Sequence, residues 1–291
     1  MVRVSSVKLK HGDALSPRSL LVIDGDPAVH ERMAGLLRFA GRTIQGAFNQ
    51  RDAVERLRSA KFDVVLAGQG NNGFDGLNFL RQMRLLQPQA KVIVTGDADP
   101  LRIVRAMRER AYAYFHAPIA EAQLSETVQQ ALESKLWKDD IKVISARPEW
   151  ITLDVRCKLE AAERTVHFLR EILTGMPAKI REDVGAGLRE LLMNSVEHGC
   201  QSNPRKRARV SMLRTPRSII LHIHDPGPGF SLDLLPHAAI SNPEDSPIRH
   251  VEVRAEEGKR AGGFGILMTR NLVDELLYNE RGNAVLFVKY L

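Results

Sequence analysis

Cysteine is nearly absent: Cys157 and Cys200 are the only two in 291 residues. They show no metal-ligand spacing, so the sequence suggests neither a disulfide framework nor a zinc site, as suits a reducing cytoplasm. No apolar run approaches the roughly 18 residues needed to span a bilayer. The leading MVRVSSVKLKHGD lacks the apolar core of a signal peptide. A cytoplasmic location with no membrane contact is therefore expected. Charge is not concentrated either, although the net value is +7. Residues 1–140 hold 20 Lys/Arg against 16 Asp/Glu, and residues 141–291 hold 22 against 19. Only RKRAR at 205–209 is dense. It has no interleaved aromatics on which bases could stack, which argues against a nucleic-acid face and for a solvated turn.

What is present is a regular alternation. Hydrophobic residues make up 44% and charged residues 26%, an ordinary globular balance with length enough for two domains. Apolar runs at Leu20–Asp24, Thr43–Ala47, Phe62–Ala67, Lys91–Thr95 and Tyr112–Phe115 read as strands. Between and after them, helical periodicity predicts helices over Pro27–Ala40, Arg51–Ala60, Leu77–Leu86, Leu101–Arg110 and Glu121–Trp137. Proline at the start of the first of these fits a first helical turn. Five βα units in this order predict a doubly wound, five-stranded parallel sheet.

The strings LLVIDGDP, FDGLNFLRQMR and VIVTGDAD, with this order and spacing, resemble the receiver domain of bacterial response regulators. The resemblance implies an aspartyl phosphorylation site, and the matching positions depart from it. Asp24 matches the first acid of the metal-binding pair, but Gly25 stands at the second. Gly68 stands where the phosphoacceptor aspartate is expected. Thr95 matches the hydroxyl residue, and Ala117 replaces the lysine before Pro118. In-line phosphoryl transfer needs a carboxylate nucleophile, a metal and a cation. The expectation is a degenerate, non-phosphorylatable receiver over residues 1–141, used for dimerisation or docking. Asp26 offers a possible second metal ligand beside Asp24, and Asp75 reads as a turn residue.

The second half, 142–291, begins after a polar, extended stretch, KDDIKVISARPEW. WITLDV alternates as a strand, and Arg156–Leu173 reads as a helix with Leu159, Val166, Leu169 and Ile172 inward. The helix from Ile180 carries Glu190 and Asn194 four apart, hence on one face. IILHIHDPGPGF is a strand that ends in Asp225 and enters a turn with Gly227 and Gly229. GKRAGGFGILMTRNL then leads Gly262, Gly263 and Gly265 into a helix, and a glycine-rich helix start can cradle phosphate.

These three elements in this order resemble the N, G1 and G2 boxes of the Bergerat-fold (GHKL) ATPases, and ELLMNSVEHG with GGFGILM is most similar to the anti-sigma-factor serine/threonine kinases. The resemblance implies an α/β-sandwich that binds ATP and Mg²⁺. It implies that Asn194 ligates the Mg²⁺, that Glu190 is the base, and that Asp225 takes the adenine amine. Gly227 and Gly229 would shape the turn, and Gly263 and Gly265 would admit the phosphates. His198 follows the pattern as either a site or a helix-end residue, while Lys259 and Arg260 read as solvated lid residues. The implied partner is a STAS-type antagonist protein, and a homodimer is possible.

Two other readings stay open. One is a non-catalytic, ATP-dependent partner-binding switch using the same groove. The other is a histidine kinase with VHFLRE around His167 as acceptor. That segment is followed within about ten residues by the Glu190 helix, leaving no room for the second helix of a dimerisation bundle.

Overall fold

A computed structural model describes residues 18–37, 42–69, 73–134, 140–230 and 265–291. Five parallel strands form the first sheet: β1 (Arg18–Ile23), β2 (Arg42–Ala47), β3 (Val64–Ala67), β4 (Lys91–Gly96) and β5 (Ala113–His116), in the order β2-β1-β3-β4-β5. The strands are Val/Ile/Leu-rich because both sheet faces are covered. Alternate residues divide accordingly. Leu21, Ile23, Val65 and Ala67 face one apolar core, and Leu20, Val22, Val64 and Leu66 face the other. The helices are α1 (Pro27–Leu36), α2 (Gln50–Ser59), α3 (Gly76–Leu86), α4 (Pro100–Arg108) and α5 (Glu121–Glu133). The first four begin at Asp26, Asn49, Asp75 and Asp99, whose side chains each accept a hydrogen bond from an otherwise orphan amide.

The second sheet has six strands, β6 (Ile141–Ala146), β7 (Trp150–Arg156), β8 (Arg207–Arg214), β9 (Ser218–His224), β10 (Glu275–Tyr278) and β11 (Ala284–Tyr290). Its order is β10-β11-β9-β8-β7-β6 and all its pairings are antiparallel. The stretch that sequence presents as an extended junction is thus β6, an edge strand hydrogen-bonded to β7. Helices α6 (Leu159–Ile172), α7 (Ala178–Asn194) and α8 (Gly265–Leu272) accompany this sheet. The chain leaves α7 through a π-helical turn, Ser195–Gly199. The Lys289 ammonium on β11 pairs with the buried Asp183 of α7 at 3.3 Å and donates to the Leu272 carbonyl of α8 at 2.8 Å. That single cation ties sheet and both helices together.

Three local expectations need correction. Leu159 is not inward: it is 56% exposed, because α6 turns two other faces toward protein. The cysteines do meet, since a disulfide joins Cys157 to Cys200 with Cα atoms 6.1 Å apart. Sequence gave no hint of it because the partners lie 43 residues apart at the ends of different elements. Asp26 is a helix cap rather than a metal ligand, accepting from the Ala28 amide at 2.9 Å.

The two sheets share a junction built on α6. One apolar cluster runs from Ala106, Met107 and Tyr114 into Ala161, Phe168 and Ile172. The polar residues Glu160, Arg164, His167 and Glu171, spaced four, three and four apart, form one stripe toward the β5 edge. Arg164 donates to the Tyr112 carbonyl at 2.9 Å and lies 4.4 Å from the Tyr112 ring centroid. The Tyr112 hydroxyl donates to Glu160 at 2.9 Å. His167 Nε2 donates to the Tyr114 carbonyl at 2.6 Å, and Glu171 accepts from both the ring and the amide of His116. β5 is the last strand of its sheet, so α6 covers what would otherwise be an open edge.

Candidate functional site

A cavity of about 410 Å³ opens between α7, the loop after β9, the start of α8 and the β10–β11 hairpin. Each wall follows from local sequence. Glu190 and Asn194 both reach it because residues four apart on α7 share a face. Asp225 directly follows β9, where the alternation has placed Ile219, Leu221 and Ile223 in the core, and it is itself buried. Its Oδ1 accepts from the Gly227 amide at 2.8 Å, which folds the turn back beneath it. Asn283 secures the same residue from the other side: its carbonyl accepts from the Asp225 amide at 3.0 Å, and its Nδ2 donates to the Asp225 carbonyl at 3.1 Å.

Glycine is required where chains nearly touch. A Cβ on Gly265 would lie 1.7 Å from Glu190 Oε1, so α8 starts directly against that carboxylate. Gly229 has φ +80°, and a Cβ there would lie 1.9 Å from the Arg281 carbonyl oxygen. The loop after β9 and the β10–β11 hairpin therefore interlock backbone to backbone.

Among the sequence-derived residues, Glu190, Asn194, His198, Asp225, Gly229 and Gly265 line one cavity. Gly227 stands behind Asp225, and Gly262, Gly263, Lys259 and Arg260 lie outside the described residues. Sequence reasoning missed Phe230, Tyr278 and Asn283, which also line it. Phe230 and Tyr278 meet edge to face with centroids 5.3 Å apart. Burial first, and the Glu190 carboxylate second, push the Tyr278 phenol well above its ordinary range. The signal for this wall was NERGN between two alternating apolar runs, a hairpin signature.

This donor set fits a nucleotide with a divalent cation. The volume lies within the usual range for small-molecule sites, and two aromatic rings give an apolar surface for a base. A buried carboxylate can accept from an exocyclic amine, while an amide oxygen and phosphate oxygens suit a hard cation such as Mg²⁺.

The matching positions in the first domain present a different picture. Asp24, at the end of β1, is buried, and its Oδ1 accepts from the Asp26 amide at 2.9 Å. A Cβ on Gly68 would lie 2.0 Å from Asp24 Oδ2. The carboxylate of Asp24 thus occupies the volume that a side chain at 68 would need. Thr95 sits near the end of β4, and Ala117 precedes Pro118 through a cis peptide. Gly25 follows Asp24 and supplies no carboxylate. Asp75 caps α3 and pairs with Arg102 at 2.8 Å. Among the described residues, no group of three or more His, Cys, Asp or Glu is placed to hold a metal ion. No described helix is long and apolar enough to cross a membrane.

Two family models match separate segments of the chain. Residues 20–129 match the response regulator receiver domain family, and residues 155–289 match the histidine kinase-like ATPase domain family. The first segment is thus similar to receiver domains and the second to histidine kinase-like ATPase domains.

Among curated proteins, it is 28% identical over 114 residues to the transcriptional regulatory protein ZraR of Salmonella typhimurium, covering 39% of this chain and 26% of that protein. It is 23% identical over 133 residues to the sensory/regulatory protein RpfC of Xanthomonas campestris, covering 44% and 18%. The chain thus spans about a quarter or less of the length of these relatives. Among solved structures, a CheY-like receiver domain protein from Methanospirillum hungatei is 23% identical, with 40% of this chain and 95% of that chain covered and a TM-score of 0.38. A response regulator protein from Burkholderia pseudomallei is 24% identical, with 40% and 67% covered and a TM-score of 0.36.

Proposed function

We propose that this chain is an ATP-dependent protein serine/threonine kinase of the anti-sigma-factor type, acting on a STAS-like antagonist protein in bacterial signalling. The observation that carries the reading is the convergence of Glu190, Asn194, Asp225 and Gly265 on one cavity. Asp225 would accept the adenine amine, and Asn194 would hold Mg²⁺, whose charge would offset that of the phosphates. Glu190 takes the proton of the attacking serine hydroxyl as oxygen bonds to the γ-phosphorus and ADP departs. The start of α8, beginning at Gly265, offers its amides to the phosphates. The exposed His198 lines the cavity from the π-helical turn and contributes to its rim.

In this reading the receiver accepts no phosphoryl group. The support is physical: residue 68 has no nucleophile, and the space for one is taken by the Asp24 carboxylate. Its role is docking, to its own ATPase domain through α6, with a homodimer as a further possibility.

A histidine kinase fits less well. His167 is buried, with Nε2 donating to Tyr114 and Nδ1 accepting from Gln123 at 3.2 Å. Both ring nitrogens are engaged in the neutral form, so neither is offered to ATP. The non-catalytic switch would use the same cavity and is separated by experiment. The protein is incubated with γ-labelled ATP, Mg²⁺ and STAS proteins encoded nearby, beside Glu190→Ala. Label on a STAS serine that disappears in the variant supports the kinase; tight nucleotide binding with no transfer supports the switch.

A further inference from the structure

The turn of the β10–β11 hairpin carries two asparagines, Asn279 and Asn283. Their side-chain amides form a relay whose polarity is set by the backbone. Asn279 Oδ1 accepts from the amides of Asn283 and Ala284 at 3.1 and 3.0 Å. Its Nδ2 is left to donate, and it donates to Asn283 Oδ1 at 3.0 Å. Asn283 therefore turns its own Nδ2 toward β9 and the residue after it. There it donates to the Asp225 carbonyl at 3.1 Å and lies 3.3 Å from His224 Nε2. An amide nitrogen carries two hydrogens, so both are spent on protein. Asn283 lines the cavity but is only 6% exposed, and its polar groups serve its neighbours rather than a ligand.

What the relay holds is Asp225. The Asn283 carbonyl accepts from the Asp225 amide at 3.0 Å, so one residue grips Asp225 by both of its backbone groups. The carboxylate is bounded as well: Oδ1 accepts from the Gly227 amide at 2.8 Å, and a Cβ on Gly199 would collide with it. Hairpin and loop cannot slide past one another. A Cβ on Gly282 would meet the Phe230 carbonyl oxygen, as one on Gly229 would meet that of Arg281. The direction in which the carboxylate faces the cavity is thus fixed from the hairpin.

We propose that Asn283 is a positioning residue for Asp225 and, through it, sets the preference of the cavity for adenine over guanine. Adenine presents an exocyclic amine, a donor, where guanine presents a carbonyl, an acceptor. A carboxylate held in one place binds the first and repels the second. Discrimination falls when the carboxylate is free to swing aside. Asn279 acts one step further back, by determining which way the Asn283 amide faces. This inference rests on the reading of Asp225 as acceptor of the adenine amine, and holds whether or not phosphoryl transfer follows.

The test is equilibrium binding of Mg²⁺–ATP and of Mg²⁺–GTP to the full-length protein, read as the ratio of the two affinities. Both nucleotides carry the same triphosphate, so changes in overall charge or in phosphate binding cancel in the ratio. Asn283→Asp keeps the shape and the acceptor for Asn279 but removes the donor to Asp225. It should narrow the ratio about tenfold, through weaker ATP binding. Asn279→Ala should narrow it about threefold. Asn283→Asp added to Asp225→Asn should narrow it no further than Asp225→Asn alone. A merely structural asparagine would weaken ATP and GTP alike, so an unchanged ratio in either Asn283→Asp or Asn279→Ala overturns the proposal. If Asp225→Asn still shifts the ratio in that case, the reading of Asp225 stands without it. An unchanged ratio in Asp225→Asn overturns that reading and the positioning role together.

Discussion

The chain contains two places where a glycine faces a carboxylate, and they behave in opposite ways. At the top of the receiver, Asp24 Oδ2 lies 2.0 Å from where a Gly68 Cβ would be. In the ATPase domain, Glu190 Oε1 lies 1.7 Å from where a Gly265 Cβ would be. At Gly68 the carboxylate fills the space that a side chain would take and accepts from the Asp26 amide. At Gly265 it forms one wall of a 410 Å³ cavity that also holds an amide, a second carboxylate and two aromatic rings. In the proposed reading, the absent side chain removes a reaction in the first case and makes room for a ligand in the second. A glycine in a motif therefore gains meaning only from what stands opposite it.

The comparison can be broken most forcefully at the junction that links its two halves. Arg164 is buried, bonded to receiver carbonyls and stacked on Tyr112. Arg164→Ala leaves those carbonyls and the ring without their partner, at an expected cost of about 3 kcal/mol. In denaturant titration the parent should unfold in one transition, and the variant should show a lower midpoint or separate transitions for the halves. An unaltered midpoint would mean that α6 does not join them.

A smaller effect is expected at the receiver site. Gly68→Asp restores the nucleophile to the sequence but places its Cβ against Asp24, so overpacking of about 1–3 kcal/mol is expected. Acetyl phosphate should still leave no phosphoaspartate in intact-protein mass spectra, since Gly25 and Ala117 supply neither acid nor cation. A stoichiometric phosphoaspartate at 68 would show that the site needs only its acceptor.

The smallest effect concerns pH. Burial, outweighing the Glu171 carboxylate and the Tyr114 carbonyl, lowers the pKa of His167, while Arg170 and His116 act in the same direction as burial. The folded protein thus resists a proton that the unfolded chain accepts below its ordinary value near 6.5. Unfolded chains bind more protons there, so stability falls as pH drops through 6.5 toward the lower folded value. His167→Gln retains a donor for Tyr114 and should flatten the dependence of Tm on pH between 7.5 and 5.5. An unchanged slope would assign the proton uptake to other groups.

Most of the architecture was legible because it rests on local periodicity. All five receiver strands and the helices around Leu77–Leu86 and Glu190 follow from apolar spacing, with small shifts at their ends. Glu190, Asn194, Asp225 and Gly265 could be grouped because motif spacing carried information that periodicity lacks. What escaped was long-range. The α6 stripe holds Glu160, Arg164, His167 and Glu171, which carry no apolar signal of an interface because four ionisable groups seldom enter one together. Their partners are backbone and side-chain groups of Tyr112 and of β5, some fifty residues away. The Cys157–Cys200 pairing and the Asn283 brace failed to show for the same reason.

Equilibrium titration of Mg²⁺–ATP into the full-length protein, its Asp225→Asn variant and its Asp24→Asn variant tests the contrast between the two sites most directly. The account predicts a single nucleotide site in the parent, an affinity at least about tenfold weaker in Asp225→Asn, and no change in Asp24→Asn. Equal affinity in parent and Asp225→Asn, or a loss in Asp24→Asn, would contradict it.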